Sequence, residues 1–164
     1  MEYRNCTDLV AAPRFILERL EPFDTSTLRL HLKFHSRRDQ AVSGYFRYRD
    51  RLIVAAVRRR QRFPLKNQWP VGSRPVRTGR GWAWVWDEEP VRDRDELMVW
   101  IAGHEAFHFL RHTRQIGGIQ RETRANRFAF EWLRGYLAER RGGGVGDPRG
   151  LVLGPAGASA RHVA

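Results

Sequence analysis

The chain predicts an α+β fold in which a small, mostly antiparallel sheet packs on a buried helix and on a second helix that follows it. Three observations predict this. Leu28, Leu30, Leu32 and Phe34 alternate with Arg29, His31 and Lys33, the period of a half-buried strand. Between Leu97 and Leu110 apolar residues surround a helical repeat on nearly every side, the pattern of a buried helix. A length of 164 residues, 41% of them hydrophobic, suffices for one domain with a core of its own.

In chain order, Thr7 to Leu20 reads as a helix started or interrupted by Pro13. The strand at 28–34 follows, with His31 on its polar face and His35 just past its end, both expected in solvent. Val42–Arg49 and Arg51–Val57 form two further strands about a turn at Asp50-Arg51. Residues 59–80 contain three prolines and two glycines and read as a long basic loop, a kind of segment that tends to carry function. Trp82, Trp84 and Trp86 then share one face of a short strand, as core or as a platform. Asp93 and Glu96 have the spacing of a capping box and announce the buried helix. Gly117-Gly118 ends that region, and a second helix runs from about Gln120 to Leu137. The domain therefore spans 1–141. Residues 142–164 are rich in glycine and proline without periodicity, which predicts a disordered tail.

Composition narrows the chemistry. The single Cys6 excludes an internal disulfide and a multi-cysteine metal site, so any zinc must be held by histidine and carboxylate. With no activating neighbour in the sequence, Cys6 reads as an ordinary thiol. No secretory signal and no membrane-length apolar run is present, which predicts a soluble, cytoplasmic protein. The net charge of +12 is carried mostly by arginine. From Arg51 to Trp86 there is no acidic residue, whereas nine positions are basic. Arginine grips phosphate through a planar fork, so the 51–80 segment is a candidate contact for nucleic acid or an acidic partner.

The strongest motif is His104-Glu105-Ala106-Phe107-His108. Two histidines four apart on a helix lie about 40° apart around the axis, so both imidazoles can reach one tetrahedral metal ion. Glu105, rotated by about 100° from His104, can stand beside the metal and serve as general base toward water. Burying two histidines and a glutamate on an apolar helix without partners would be costly, which favours a site over coincidence. His112 lies ~12 Å along the helix from His104, too far to share the ion. The better third ligand is Glu122 on the next helix, with Glu131 as runner-up. Asn126, one turn after Glu122, is placed to accept the outer N–H of a metal-bound histidine.

The stretch His104–Leu133 resembles the H-E-x-x-H metallopeptidases of the gluzincin type, most closely the ImmA/IrrE family. The motif is followed by His112, an extra histidine frequent in that family, and Glu122-Thr123-Arg124-Ala125-Asn126-Arg127-Phe128-Ala129 looks like its E-x-x-A-N-x-F-A segment. Arg124 departs from the acidic residue usual there. The resemblance implies a zincin-like fold, zinc on His104, His108 and Glu122, and water activation by Glu105. The front half is also similar to SprT-like metalloproteases, although their third ligand is a downstream histidine, and after His112 this chain has only His162.

Two functional readings follow. In the first, the chain is a zinc peptidase acting on a protein or peptide, with the Trp-bearing strand pairing an extended substrate and Tyr136 or an arginine as candidates for stabilising the oxyanion. In the second, it is a non-catalytic basic module on the same scaffold that binds DNA or an acidic protein through residues 51–80.

Overall fold

The computed structural model describes residues 1–36, 42–65, 70–79, 81–88 and 90–142. The elements are β1 (Glu2–Cys6), α1 (Ala11–Leu20), β2 (Arg29–His35), β3 (Val42–Arg47), a 3-10 turn (Tyr48–Asp50), β4 (Leu52–Arg58), β5 (Pro70–Thr78), β6 (Gly81–Glu88), α2 (Arg94–His112) and α3 (Glu122–Arg140). The fold is α+β, built from a small mixed sheet, a separate hairpin and three helices. The tail expected at 142–164 lies outside the described residues except for Gly142.

The sheet is mixed rather than mostly antiparallel. Its order is β1-β2-β4-β3, with β1 and β4 parallel to β2 and only β3 antiparallel to β4. Two connections cause this. Helix α1 carries the chain from β1 to β2, the crossover that parallel neighbours need. The β3–β4 hairpin then docks with β4 inward, so β4 runs alongside β2. The sequence carries a trace of that placement: Leu52 to Val57 is buried at every position, the unbroken apolar run of a central strand covered on both faces.

Two strands were not expected. β1 is polar and mostly exposed, and edge strands tolerate such residues. It is held by its parallel register on β2 and by Arg29, whose Nε lies 2.8 Å from Glu2. The second half of the expected basic loop is β5, which pairs antiparallel with β6 through a shift at Pro70/Gly72 and turns at Gly81, where φ is +122°. Proline is tolerated here because, among the described residues, β6 is the only strand beside β5, which leaves its other edge without ladder bonds.

The helices pack on the sheet and on each other: α2 lies against β3 and β4, and both α1 and α3 lie against α2. α1 starts at Ala11, later than expected, with Pro13 in its first turn where no N–H is required. Its missing cap is supplied from α2, whose Asp95 accepts the Ala12 N–H at 2.9 Å. α2 starts at the expected cap: Asp93 accepts the Glu96 N–H at 2.8 Å, while Glu96 accepts the N–H of Arg92 at 2.6 Å. Arg140, at the end of α3, reaches Asp93 at 2.5 Å and Glu96 at 3.3 Å. The last turn of α3 therefore meets the first turn of α2, and the two helices run antiparallel. Gly103 permits the close approach, since a Cβ there would stand 3.0 Å from the Ala129 Cα. No described helix is long and apolar enough to cross a membrane.

Candidate metal centre

His104 and His108 project from the middle of α2, where every neighbouring apolar residue is buried. Their Nε2 atoms are 3.2 Å apart. Glu122 opens α3, and its two carboxylate oxygens lie 3.1 Å from His104 Nε2 and 3.5 Å from His108 Nε2. A carboxylate in the first turn of a helix is also favoured by the backbone dipole. These three residues form the one group among the described residues able to hold a metal ion. The donor set fits a zinc-sized ion: atoms about 2.0–2.1 Å from a tetrahedral centre stand about 3.3 Å from one another, and the measured separations bracket that value.

The protonation state suits ligation. Burial holds both imidazoles below the ordinary histidine range, and His108 is lowered further by the neighbouring His104. Neutral rings with a free Nε2 are what a metal requires. His104 Nδ1–H donates to the Asn126 side-chain oxygen at 2.9 Å, fixing the tautomer that leaves Nε2 bare. Asn126 thus stands where the helical spacing of Glu122 and Asn126 places it. The indole of Trp100 lies against the His104 ring, with centroids 5.5 Å apart.

Glu105 reaches strand β3 while staying within electrostatic range of Glu122. It is 8% exposed, and its carboxylate accepts the backbone N–H of Phe46 in β3. Burial, reinforced by the Glu122 carboxylate, pushes its pKa up to about 7, with the Phe46 N–H opposing. A carboxylate poised near neutrality is tuned for taking and returning a proton. β3 has β4 on one side and no strand on the other among the described residues, so Glu105 stands at an open sheet edge.

Other candidates fall outside the centre. His112 packs on the rings of Phe46 and Tyr48 and lines a separate cavity with Asp24, Arg51 and Arg114. Glu131 pairs with Arg127 at 3.7 Å. Tyr136 is excluded as an oxyanion donor: it is buried against Phe15 and Arg140 at the far end of α3, 14 residues, or about 21 Å, beyond Glu122. The Trp-bearing strand β6 pairs with β5, and the strand at Glu105 is β3. His31 and His35, expected in solvent, are each partly buried. Cys6 is exposed.

Sequence reasoning missed three contributors. Tyr48 in the 3-10 turn bonds Gln120 through its hydroxyl, and the same Gln120 amide lies 3.2 Å from His108 Nδ1. Gly44 of β3 faces Glu105, and its role could have been suspected only from a lone glycine inside a strand pattern. Comparison with family models, with curated proteins and with solved structures finds no match to this chain.

Proposed function

We propose that the chain is a zinc-dependent metallopeptidase with a zincin-like fold, related in its motif helices to the ImmA/IrrE type. The observation that carries the reading is the convergence of three neutral or anionic donors at tetrahedral spacing beside a buried carboxylate on an open strand edge. His104, His108 and Glu122 would hold the ion, with Asn126 orienting His104. Zinc in that position supplies a Lewis acid that polarises a carbonyl and acidifies water.

The chain's own residues supply the rest. An extended peptide would add along the edge of β3 that has no strand neighbour among the described residues, beside the Phe46 N–H held by Glu105, because strand edges bind strands through backbone hydrogen bonds. That placement runs the substrate past Glu105. There the carboxylate accepts a proton from the attacking water and returns it to the amine leaving group, and its near-neutral pKa suits both steps.

Metal analysis of the wild type and Glu105→Gln tests this. About one zinc per chain is expected in both proteins, with peptide hydrolysis lost only in the variant. A wild type that takes up no zinc on reconstitution overturns the reading. Zinc uptake without hydrolysis of any peptide by the wild type favours a non-catalytic binding module instead.

A further inference from the structure

A second site lies at the carboxyl ends of β2 and β4. The two strands are parallel, with Lys33 opposite Ala56 and His35 opposite Arg58, so both leave the sheet at the same end. Their ends and the residues that follow line a cavity of about 640 Å³: Lys33, Phe34 and His35 from one strand, and Arg58, Arg59 and Arg60 from the other. It shares no lining residue with the metal centre.

The chemistry of the lining is one-sided. Four of the residues are cations, and no carboxylate lines the cavity among the described residues. Lys33, Arg59 and Arg60 are exposed at its rim. The Phe34 ring carries two guanidinium groups, Arg59 at 5.0 Å and Arg94 at 5.3 Å from its centroid. Arg94 is balanced in part by Asp8 at 3.5 Å. Both ring nitrogens of His35 are buried with no hydrogen-bond partner among the described residues. The exposed cations Lys33, Arg59 and Arg60 together make a positive rim that attracts an anion.

We propose that this cavity binds the sugar–phosphate backbone of a nucleic acid. The cations are arginine-rich and spread along two strand ends, which suits a row of phosphates rather than one isolated anion. The sequence continues the same charge, with no acidic residue from Arg51 to Trp86. Planar guanidinium groups held over a ring also offer flat faces on which bases stack. The site is independent of the peptidase reading and stands or falls separately.

Fluorescence anisotropy with a labelled mixed-sequence oligonucleotide, over a salt series, tests it on the full chain. The comparison is between wild type, the cavity variant Lys33→Gln/Arg59→Gln/Arg60→Gln, and a control, Arg14→Gln/Arg134→Gln, that removes exposed charge elsewhere. Circular dichroism confirms that each is folded. The wild type should bind at low salt, with affinity falling steeply as salt rises. The cavity variant should flatten that dependence by about 0.9 in log–log slope for each phosphate it no longer neutralises. The control should keep both the affinity and the salt slope close to those of the wild type. Equal slopes for the cavity variant and the wild type overturn the proposal. So does tighter binding of a poly-glutamate chain than of the oligonucleotide, which would assign the cavity to an acidic protein.

Discussion

The Nδ1–H of His104 donates to the side-chain oxygen of Asn126 across the contact between α2 and α3, at 2.9 Å. That single bond fixes the ring's orientation and tautomer, and it places the bare Nε2 toward Glu122. Replacing Asn126 by leucine removes the acceptor while keeping the volume. Zinc affinity is expected to fall ~10–100-fold, read by competition with a chromophoric chelator. Asn126→Asp keeps an acceptor at the same place and should retain most of the affinity. Equal losses in both variants would show that the amide does something other than accept the proton.

His108 needs the same service from its own outer nitrogen, and Gln120 is the group within reach at 3.2 Å. A side-chain amide can present either its N–H₂ or its oxygen. With the oxygen inward, Gln120 accepts from both His108 Nδ1–H and the Tyr48 hydroxyl. Gln120→Ala is therefore expected to weaken zinc binding by about tenfold, less than the Asn126 variant because Gln120 is exposed. Tyr48→Phe should weaken it by a smaller factor. An unchanged zinc affinity in Gln120→Ala would remove Gln120 from the site.

The contrast between these two supports explains what the sequence makes legible. His104, His108, Glu122 and Asn126 are joined by helical spacing, and a period of 3.6 residues fixes which side chains share a face before any tertiary contact forms. The cap at Asp93 is legible for the same reason. Tyr48, Gly44 and Phe46 reach the site through the register and direction of a sheet, and these are settled by pairing between distant segments. β1 and β5 were hidden likewise. Their residues are polar or carry proline, and only a neighbouring strand makes them strands.

Glu105 gives the metal-free protein a distinctive pH response. Its folded pKa of about 7 lies above the usual 4.5, so the folded state holds more protons than the unfolded state between those values. By linkage, the stability this group contributes is full below pH ~4.5 and is lost as pH rises through ~7. The raised shift corresponds to a loss of about 3 kcal/mol at most. His104 and His108 act oppositely, because their lowered pKa values cost stability as pH falls through the histidine range. Comparing chelator-treated wild type with Glu105→Gln cancels the histidine contribution. The wild type should lose stability relative to the variant from pH 5 to pH 8 in urea titrations. A difference that stays constant over that range would contradict the burial argument. Added zinc should shrink the difference, because a nearby cation favours the ionised carboxylate.

Gly44 is a close approach between strand β3 and helix α2, beside Glu105. A Cβ there would stand 2.5 Å from the Ile101 Cγ2 and 2.9 Å from a Glu105 carboxylate oxygen. Ile101 is buried in the core, and Glu105 is tied to the Phe46 N–H, so neither gives way freely. Gly44→Ala should therefore destabilise by about 1–3 kcal/mol, as overpacking does, and should push the Glu105 carboxylate off its line to the substrate. The three atoms nearest this position belong to Ile101 and Glu105, not to His104, His108 or Glu122. The expected signature is a fall in kcat with zinc content and zinc affinity unchanged. Trimming the partner in Gly44→Ala/Ile101→Val relieves the tighter of the two clashes and should recover much of the stability. It leaves the carboxylate clash in place, so kcat should recover less. Full recovery of both would mean that Gly44 matters only for packing against Ile101, and a loss of zinc in Gly44→Ala would mean that β3 supports the ligands as well as the base.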